Sequence, residues 1–167
     1  MSHHYLRLGR TGQSVIVAGC LTLTGLLATT ASARAQGPAT LRAIGEYRLT
    51  MPTLRKLITA GKGVNAGADA QAINTAMSQP AMSIEDILGV IDRYAAAKRA
   101  VAASGLAPRE FATAYLAYFY TARYLADAEM RKALGQPVAG PPAHVRPDNV
   151  KLLRDNQDEL ARLSDSR

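Results

Sequence analysis

The sequence predicts an all-α protein, a small helical bundle of about four to five helices that follows an N-terminal signal peptide. Three observations lead to this prediction. Apolar residues recur at helical spacing through most of the chain, strand-type alternation is absent over any useful length, and glycine or proline separates the helical stretches. The first part of the chain has a different composition, which is typical of an export signal.

Residues 1–35 have the order of a secretory signal peptide: a polar segment with two arginines, an apolar run and a group of small residues. The small residues allow cleavage after Ala33 or after Ala35. We favour Ala35, which leaves no arginine at the junction and makes Gln36 the first residue of the mature chain. The protein is therefore expected to be periplasmic or secreted.

Two alternatives keep the N-terminal segment in a membrane. The stretch Val-Ala-Gly-Cys that ends at Cys20 resembles a lipoprotein acylation motif, although the apolar run continues beyond the cysteine. The segment is also marginally long enough to remain uncleaved as an anchor. Cleavage after Ala35 leaves a mature chain in which we expect no stable membrane span.

Cleavage also limits the chemistry that the mature chain can carry. It removes three arginines and no acidic residue, so the formal charge falls from +7 to +4. This charge does not support a nucleic-acid-binding face, which requires dense basic residues. The cut removes Cys20 and leaves His144 as the one histidine, so disulfides and the common zinc or copper sites are excluded. We expect no metal and no cofactor.

The mature chain is expected to form one domain. Residues 36–49 are predicted to be a flexible lead-in with a weak helical pattern, residues 50–163 a single helical domain, and residues 164–167 a frayed tail. The first helix of the domain begins at Thr50, a favourable N-cap, and is expected to end at Gly61.

Two further helices precede the central one. The alanine-rich segment 68–77 predicts a short helix. The next helix begins at Ser83, because Ser83 and Asp86 have the spacing of a capping box, and ends at Gly105, a favourable C-cap. A less regular stretch at Tyr94 leaves open whether this helix, residues 84–104, is one element or two.

The central helix, residues 108–134, is the most strongly marked, with both phenylalanines and four of the seven tyrosines. Its aromatic side chains favour core packing, with Phe111, Tyr115 and Phe119 as the expected anchors. The alternative is that tyrosines line a ligand pocket on the Tyr120–Tyr124 side of the helix. The pocket candidates are Tyr118, Tyr120 and Tyr124.

Charged residues on this helix predict surface ion pairs rather than catalysis. Asp127 lies four residues from both Arg123 and Arg131, a spacing that favours an ion-pair ladder. The segment that follows Gly135 is rich in proline and glycine and is expected to be a linker or surface loop, with His144 as an ordinary surface residue. The last helix begins at Pro147 and has an apolar stripe made by Val150, Leu153, Leu160 and Leu163.

The segments EYRLT, SGLAPREF and RPDNVKLLRDNQDEL resemble those of small secreted bacterial helical proteins of uncharacterised function. The similarity covers roughly Tyr47 to Leu163 and rests mainly on the GL-x-PREF and P-x-NV helix starts. That family has no assigned activity. The resemblance therefore implies export and kinship, and it implies no mechanism.

The sequence accordingly predicts a non-enzymatic binding or interaction module of the cell envelope. Its expected partner is an unknown protein, an envelope component or a small apolar ligand. One alternative is an envelope protein that is lipidated or anchored through its N-terminus. The other is a hydrolase that uses carboxylates only. A serine or threonine nucleophile activated by His144 is not expected, because the sequence has no motif for one.

Overall fold

The computed structural model describes residues 37–79 and 81–165. Within these residues it contains helices and turns and no strand, so the predicted all-α class is confirmed for this part of the chain. The expected signal peptide, residues 1–35, and its cleavage site at Ala35 and Gln36 lie outside the described residues. The helices are α1 (Pro38–Glu46), α2 (Met51–Asn65), α3 (Ala70–Met77), α4 (Ile84–Arg93), α5 (Ala95–Ser104), α6 (Pro108–Ala133), α7 (Pro147–Asp155) and α8 (Gln157–Asp165).

The helices are shorter and more numerous than the sequence predicted. Tyr94 has extended backbone angles (φ −111°, ψ 114°) and separates α4 from α5, so the segment 84–104 is two elements. The last helix, expected as one element from Pro147, is divided at Asn156 (φ −119°, ψ 20°) into α7 and α8. The described residues therefore contain eight helices where four to five were expected.

Helix α1 occupies most of the segment that was expected to be a flexible lead-in, residues 36–49. A proline in its first turn suits a helix start, and the side chain of Ile44 is only 1% exposed. After the helix, Leu49 is also buried, at 3% exposure. The segment is therefore ordered by burial of apolar side chains that the weak helical pattern alone did not reveal.

Helix α2 begins as predicted and ends later. The Thr50 hydroxyl accepts a hydrogen bond from the N–H of Thr53 at 3.3 Å, as expected of an N-cap. The helix continues through Gly61, where an end was expected. Glycine inside a helix costs only about 1 kcal/mol relative to alanine. At Gly63, the second glycine within α2, close packing against α5 favours the missing side chain, since a Cβ there would lie 3.0 Å from the Cβ of Ala100.

Three helix boundaries match local signals in the sequence. The Ser83 N–H donates to Asp86 Oδ2 at 2.8 Å and the Asp86 N–H donates to Ser83 Oγ at 3.1 Å, which completes the capping box of α4. Gly105, directly after α5, and Gly135, two residues after the end of α6, have left-handed backbone angles (φ 72° and 65°). Such angles favour glycine and end a helix.

Helix α6 is the central element, and it contacts α1, α2, α4, α5 and α7. Its buried face is made mainly of small side chains, which allow neighbouring helices to approach closely. Many of these positions are alanines rather than the aromatic residues that dominate the sequence of the helix. The buried residues of α6 are Phe111, Ala112, Ala114, Leu116, Ala117, Thr121, Leu125 and Ala128.

The aromatic side chains of α6 lie along the border of this core. Phe111 is buried at 7% exposure, as expected of an anchor. The expectation for Phe119 was wrong, since 43% of this residue is exposed. Its ring stacks on Tyr115, which stacks in turn on Phe111, with centroid separations of 6.5 and 6.1 Å. The ladder leaves the core because rings spaced by four residues drift around the helix axis, and alanines fill the central positions.

A buried asparagine of α7 ties this helix to the segment between α1 and α2. Asn149 is 1% exposed. Its Oδ1 accepts a hydrogen bond from the N–H of Leu49 at 2.9 Å, and its Nδ2 donates to the carbonyl of Tyr47 at 3.0 Å. These backbone groups belong to no helix ladder, so the amide side chain supplies the partners that buried polar groups require. We call this contact the Asn149 clamp.

Candidate ligand-binding cleft

A cleft lies between the C-terminal half of α6 and the loop of residues 138–145. It has a volume of about 630 Å³, within the range of roughly 300–1,000 Å³ that is typical of ligand pockets. We call it the aromatic cleft. Its lining residues are Tyr120, Arg123, Tyr124, Asp127, Ala128 and Arg131 from α6, and Val138, Ala139, Gly140, Pro142, His144 and Val145 from the loop.

The α6 wall of the cleft follows from helical geometry. Starting at Tyr120, its residues fall at i, i+3, i+4, i+7, i+8 and i+11, and residues at these positions lie on the same side of a helix. The stripe carries two aromatic rings, two guanidinium groups and one carboxylate. A single helix face therefore provides both the apolar and the charged contacts of the cleft.

The loop is held over α6 by contacts at both of its ends. The Tyr124 hydroxyl donates a hydrogen bond to the carbonyl of Ala139 at 3.0 Å. At the other end, the His144 ring packs edge-on against Tyr120, with centroids 5.1 Å apart and ring planes at 82°. Val145 beside it is buried at 3% exposure. The segment is a surface loop, as its composition predicted, and these contacts make it the second wall of the cleft.

Helix α1 supports the loop from below through a close backbone contact. A Cβ at Gly45 would lie 2.9 Å from the carbonyl oxygen of Ala143 and 3.3 Å from the Cα of His144. Only glycine permits this approach. Arg146, which directly follows the loop, donates a hydrogen bond from Nη1 to the carbonyl of Glu46 at 3.3 Å. The position of His144 in the cleft therefore depends on the absence of a side chain at Gly45.

The charges in the cleft are unevenly paired. Arg131 Nε donates to Asp127 Oδ2 at 2.8 Å. The expected ladder is therefore only half formed, and Arg123 makes no ion pair within the part of the chain that the structure describes. Among the described residues that line the cleft, Asp127 is the single carboxylate. Hydrolysis by a carboxylate pair requires two carboxyl groups roughly 5–9.5 Å apart.

Three tyrosines outside the cleft have raised pKa values. Burial raises the pKa of Tyr115 and of Tyr118. Burial also raises the pKa of Tyr47, and the nearby Glu110 carboxylate raises it further. A tyrosine with a raised pKa is neutral at physiological pH and is a poor proton acceptor in that state.

The three tyrosines proposed from the sequence do not line the same cavity. Tyr120 and Tyr124 both line the aromatic cleft, whereas Tyr118 is not among its lining residues and is 39% exposed. Helical geometry explains the difference, because residues two apart are rotated by roughly 200° around the helix axis. The same geometry identifies Arg123 from the sequence, since it lies three residues after Tyr120.

The sequence did not indicate that His144 lies in the cleft. A histidine in a loop rich in proline and glycine has no local pattern that predicts its neighbours. Its contact with Tyr120 arises from the packing of α1 beneath the loop, which sequence spacing does not reveal. The half-buried ring nevertheless forms part of the loop wall.

Compared with models of known protein families, with curated proteins and with solved structures, the chain matches none. Across residues 37–79 and 81–165, no group of three or more His, Cys, Asp or Glu side chains could hold a metal ion. No helix in the same ranges combines the length and the apolar character needed to cross a membrane.

The close contact at Gly45 predicts that Gly45→Ala destabilises the protein by about 1–3 kcal/mol, because the added Cβ meets a backbone carbonyl that cannot rotate away. Gly89→Ala is the matched control. A Cβ at Gly89, within α4, would meet nothing within 4 Å, so this change is expected to stabilise by roughly 0.5–1 kcal/mol through helix propensity. Urea denaturation measures both values. If Gly45→Ala and Gly89→Ala changed the free energy of unfolding by the same amount in the same direction, the close contact at Gly45 would be contradicted.

Proposed function

We propose that the protein is an exported, non-enzymatic binding module of the cell envelope. The aromatic cleft is its ligand site, and the ligand presents an apolar or aromatic face next to an anionic group. The observation that supports this proposal most strongly is the composition of the cleft. Tyr120 and Tyr124 line the same cleft as Arg123, a cation without an ion-pair partner among the described residues.

The apolar part of the ligand is suggested by how the aromatic groups are used. The hydroxyl of Tyr124 is already engaged by the carbonyl of Ala139, so its ring remains as the main contact surface. The ring of Tyr120 is fixed by its edge contact with His144. Rings held in this way offer large contact areas and lose little conformational entropy on binding.

The anionic part of the ligand is suggested by the charge balance. Asp127 compensates Arg131 through their ion pair, which leaves the charge of Arg123 uncompensated by its neighbours on α6. Arg123 also lines a smaller cavity of about 180 Å³ that shares Tyr120 with the cleft. A guanidinium group in this position favours a carboxylate, sulfonate or phosphate group, to which it donates charge-assisted hydrogen bonds.

The assignment to the envelope rests on the sequence of residues 1–35 and on the resemblance to small secreted bacterial proteins. The bundle would then follow a signal peptide cleaved between Ala35 and Gln36, and an envelope component or partner protein would supply the ligand group. The alternative hypothesis is a protein that remains anchored in the membrane by an uncleaved N-terminal segment or by a lipidated Cys20. The carboxylate-only hydrolase has weaker support, because the cleft offers Asp127 without a second carboxylate.

The ligand class is tested with 8-anilinonaphthalene-1-sulfonate, a fluorescent probe that carries aromatic rings next to a sulfonate. Arg123→Gln is expected to weaken its binding roughly tenfold, because one charge-assisted hydrogen bond contributes about 1.5 kcal/mol. Arg99→Gln on α5 is the matched control, since it removes the same charge from an exposed position outside the cleft. Fluorescence titration gives the dissociation constants.

The control is expected to bind the probe within about twofold of the unmodified protein, since a distant surface charge is screened by salt. Chemical shifts of Tyr120, Tyr124 and His144 are expected to change most on binding. Equal weakening by both arginine substitutions, or the largest shifts outside these residues, would contradict the proposed site.

Export is tested independently by the intact mass of the protein recovered from the envelope or the medium of cells that produce it. The proposal predicts a chain that begins at Gln36. A mass that includes residues 1–35, or an acylated chain that begins at Cys20, would contradict the exported, unanchored form and support the anchored alternative.

A further inference from the structure

A second cavity lies between the helices and opens to the surface, separate from the aromatic cleft. It has a volume of about 130 Å³ and shares no lining residue with the cleft. We call it the core cavity. Residues of α2 to α6 form its walls: Leu57, Gly61, Val64, Asn65, Ile73, Asn74, Met77, Val90, Ile91, Ala97, Val101, Phe111 and Tyr115.

The lining of the core cavity is apolar and uncharged. None of its residues is acidic or basic. Its two amide side chains are exposed at the edge, where Asn74 Nδ2 donates to Asn65 Oδ1 at 3.0 Å. Placing an ion in such surroundings costs several kcal/mol without a partner charge. The cavity therefore selects against charged molecules.

The size of the cavity fits a small ring. Cavities on the order of 150 Å³ with linings of leucine, isoleucine and phenylalanine stay dry and bind benzene or xenon. The core cavity is close to this size, and it is lined by similar groups, including Ile73, Ile91 and Phe111. Water gains few hydrogen bonds there, so an apolar molecule that enters displaces no well-bound solvent.

Helix α3 forms one side of the opening of the cavity, where Asn74 is exposed beside Asn65 of α2. It has only eight residues and no side-chain cap at its N-terminus, and Ile73 is its one buried residue. Its main neighbours are α2 and α4. Short elements with few buried contacts open at lower free energy than the rest of a domain. Displacement of α3 would widen the opening without unfolding α6.

We propose that the core cavity is a binding site for one small, uncharged, apolar molecule, an aromatic ring or short alkyl chain of about six to eight heavy atoms. This site is distinct from the aromatic cleft in both its residues and its ligand. The cleft favours an anionic group beside Arg123, whereas the core cavity excludes charge.

The proposal is tested on the full chain with benzene as the probe and benzoate as its charged analogue. Benzene is expected to shift the methyl signals of Ile73 and Val101 in NMR spectra in a saturable manner, with a dissociation constant on the order of 1 mM. It is also expected to raise Tm as its concentration increases. Benzoate is expected to leave these methyl signals unchanged.

Two substitutions that fill the cavity are compared with one that does not. Val101→Phe at a buried wall position and Val64→Phe at a partly buried one are each expected to weaken benzene binding at least roughly tenfold, because the added ring occupies the site. Val138→Phe makes the same change in the aromatic cleft and is expected to leave benzene binding within about twofold. If Val101→Phe does not fold, Val64→Phe decides the result.

Benzene that shifts no methyl group lining the cavity at saturating concentration would overturn the proposal. Equal loss of binding in Val64→Phe and Val138→Phe would overturn it as well, because the probe would then not distinguish the cavity from the surface. Neither result depends on the anionic ligand proposed for the aromatic cleft.

Discussion

The two hydrogen bonds of Asn149 join α7 to the segment between α1 and α2. Its partners, Leu49 and Tyr47, lie 100 and 102 residues away in sequence, and the bond to Leu49 is buried. Leaving a buried backbone group without a partner costs about 1–3 kcal/mol. The clamp fixes the end of α1 against the start of α7, and the position of the loop of residues 138–145 follows from it.

The aromatic cleft is a consequence of this arrangement. With α1 held in place, the bare backbone at Gly45 lies directly beneath Ala143 and His144, and the His144 ring reaches Tyr120. The proposed ligand site is thus formed where α6 meets the loop of residues 138–145, while the core cavity lies among α2 to α6. One domain therefore offers two environments, one with an uncompensated cation and one without charge, and these suit different classes of molecule.

Local sequence signals predicted the structural features that depend on residues close together in the chain. The capping box at Ser83, the left-handed ends at Gly105 and Gly135, and the long central helix are all encoded within a few residues. The lining of the cleft by Tyr120 and Tyr124 follows from the same helical periodicity, which also separates Tyr118 from them. The partners of Asn149, the support at Gly45 and the position of His144 depend on distant segments, and no spacing pattern in one sequence reports such contacts.

The Asn149 clamp is expected to hold the segment between α1 and α2 throughout the folded state. Amide hydrogen exchange of Leu49 reports on the clamp, because the hydrogen bond of this N–H is made by the side chain of Asn149. We expect Leu49 to exchange with an opening free energy close to that of global unfolding. Exchange as fast as that of Gly140, an exposed residue of the loop, would contradict it.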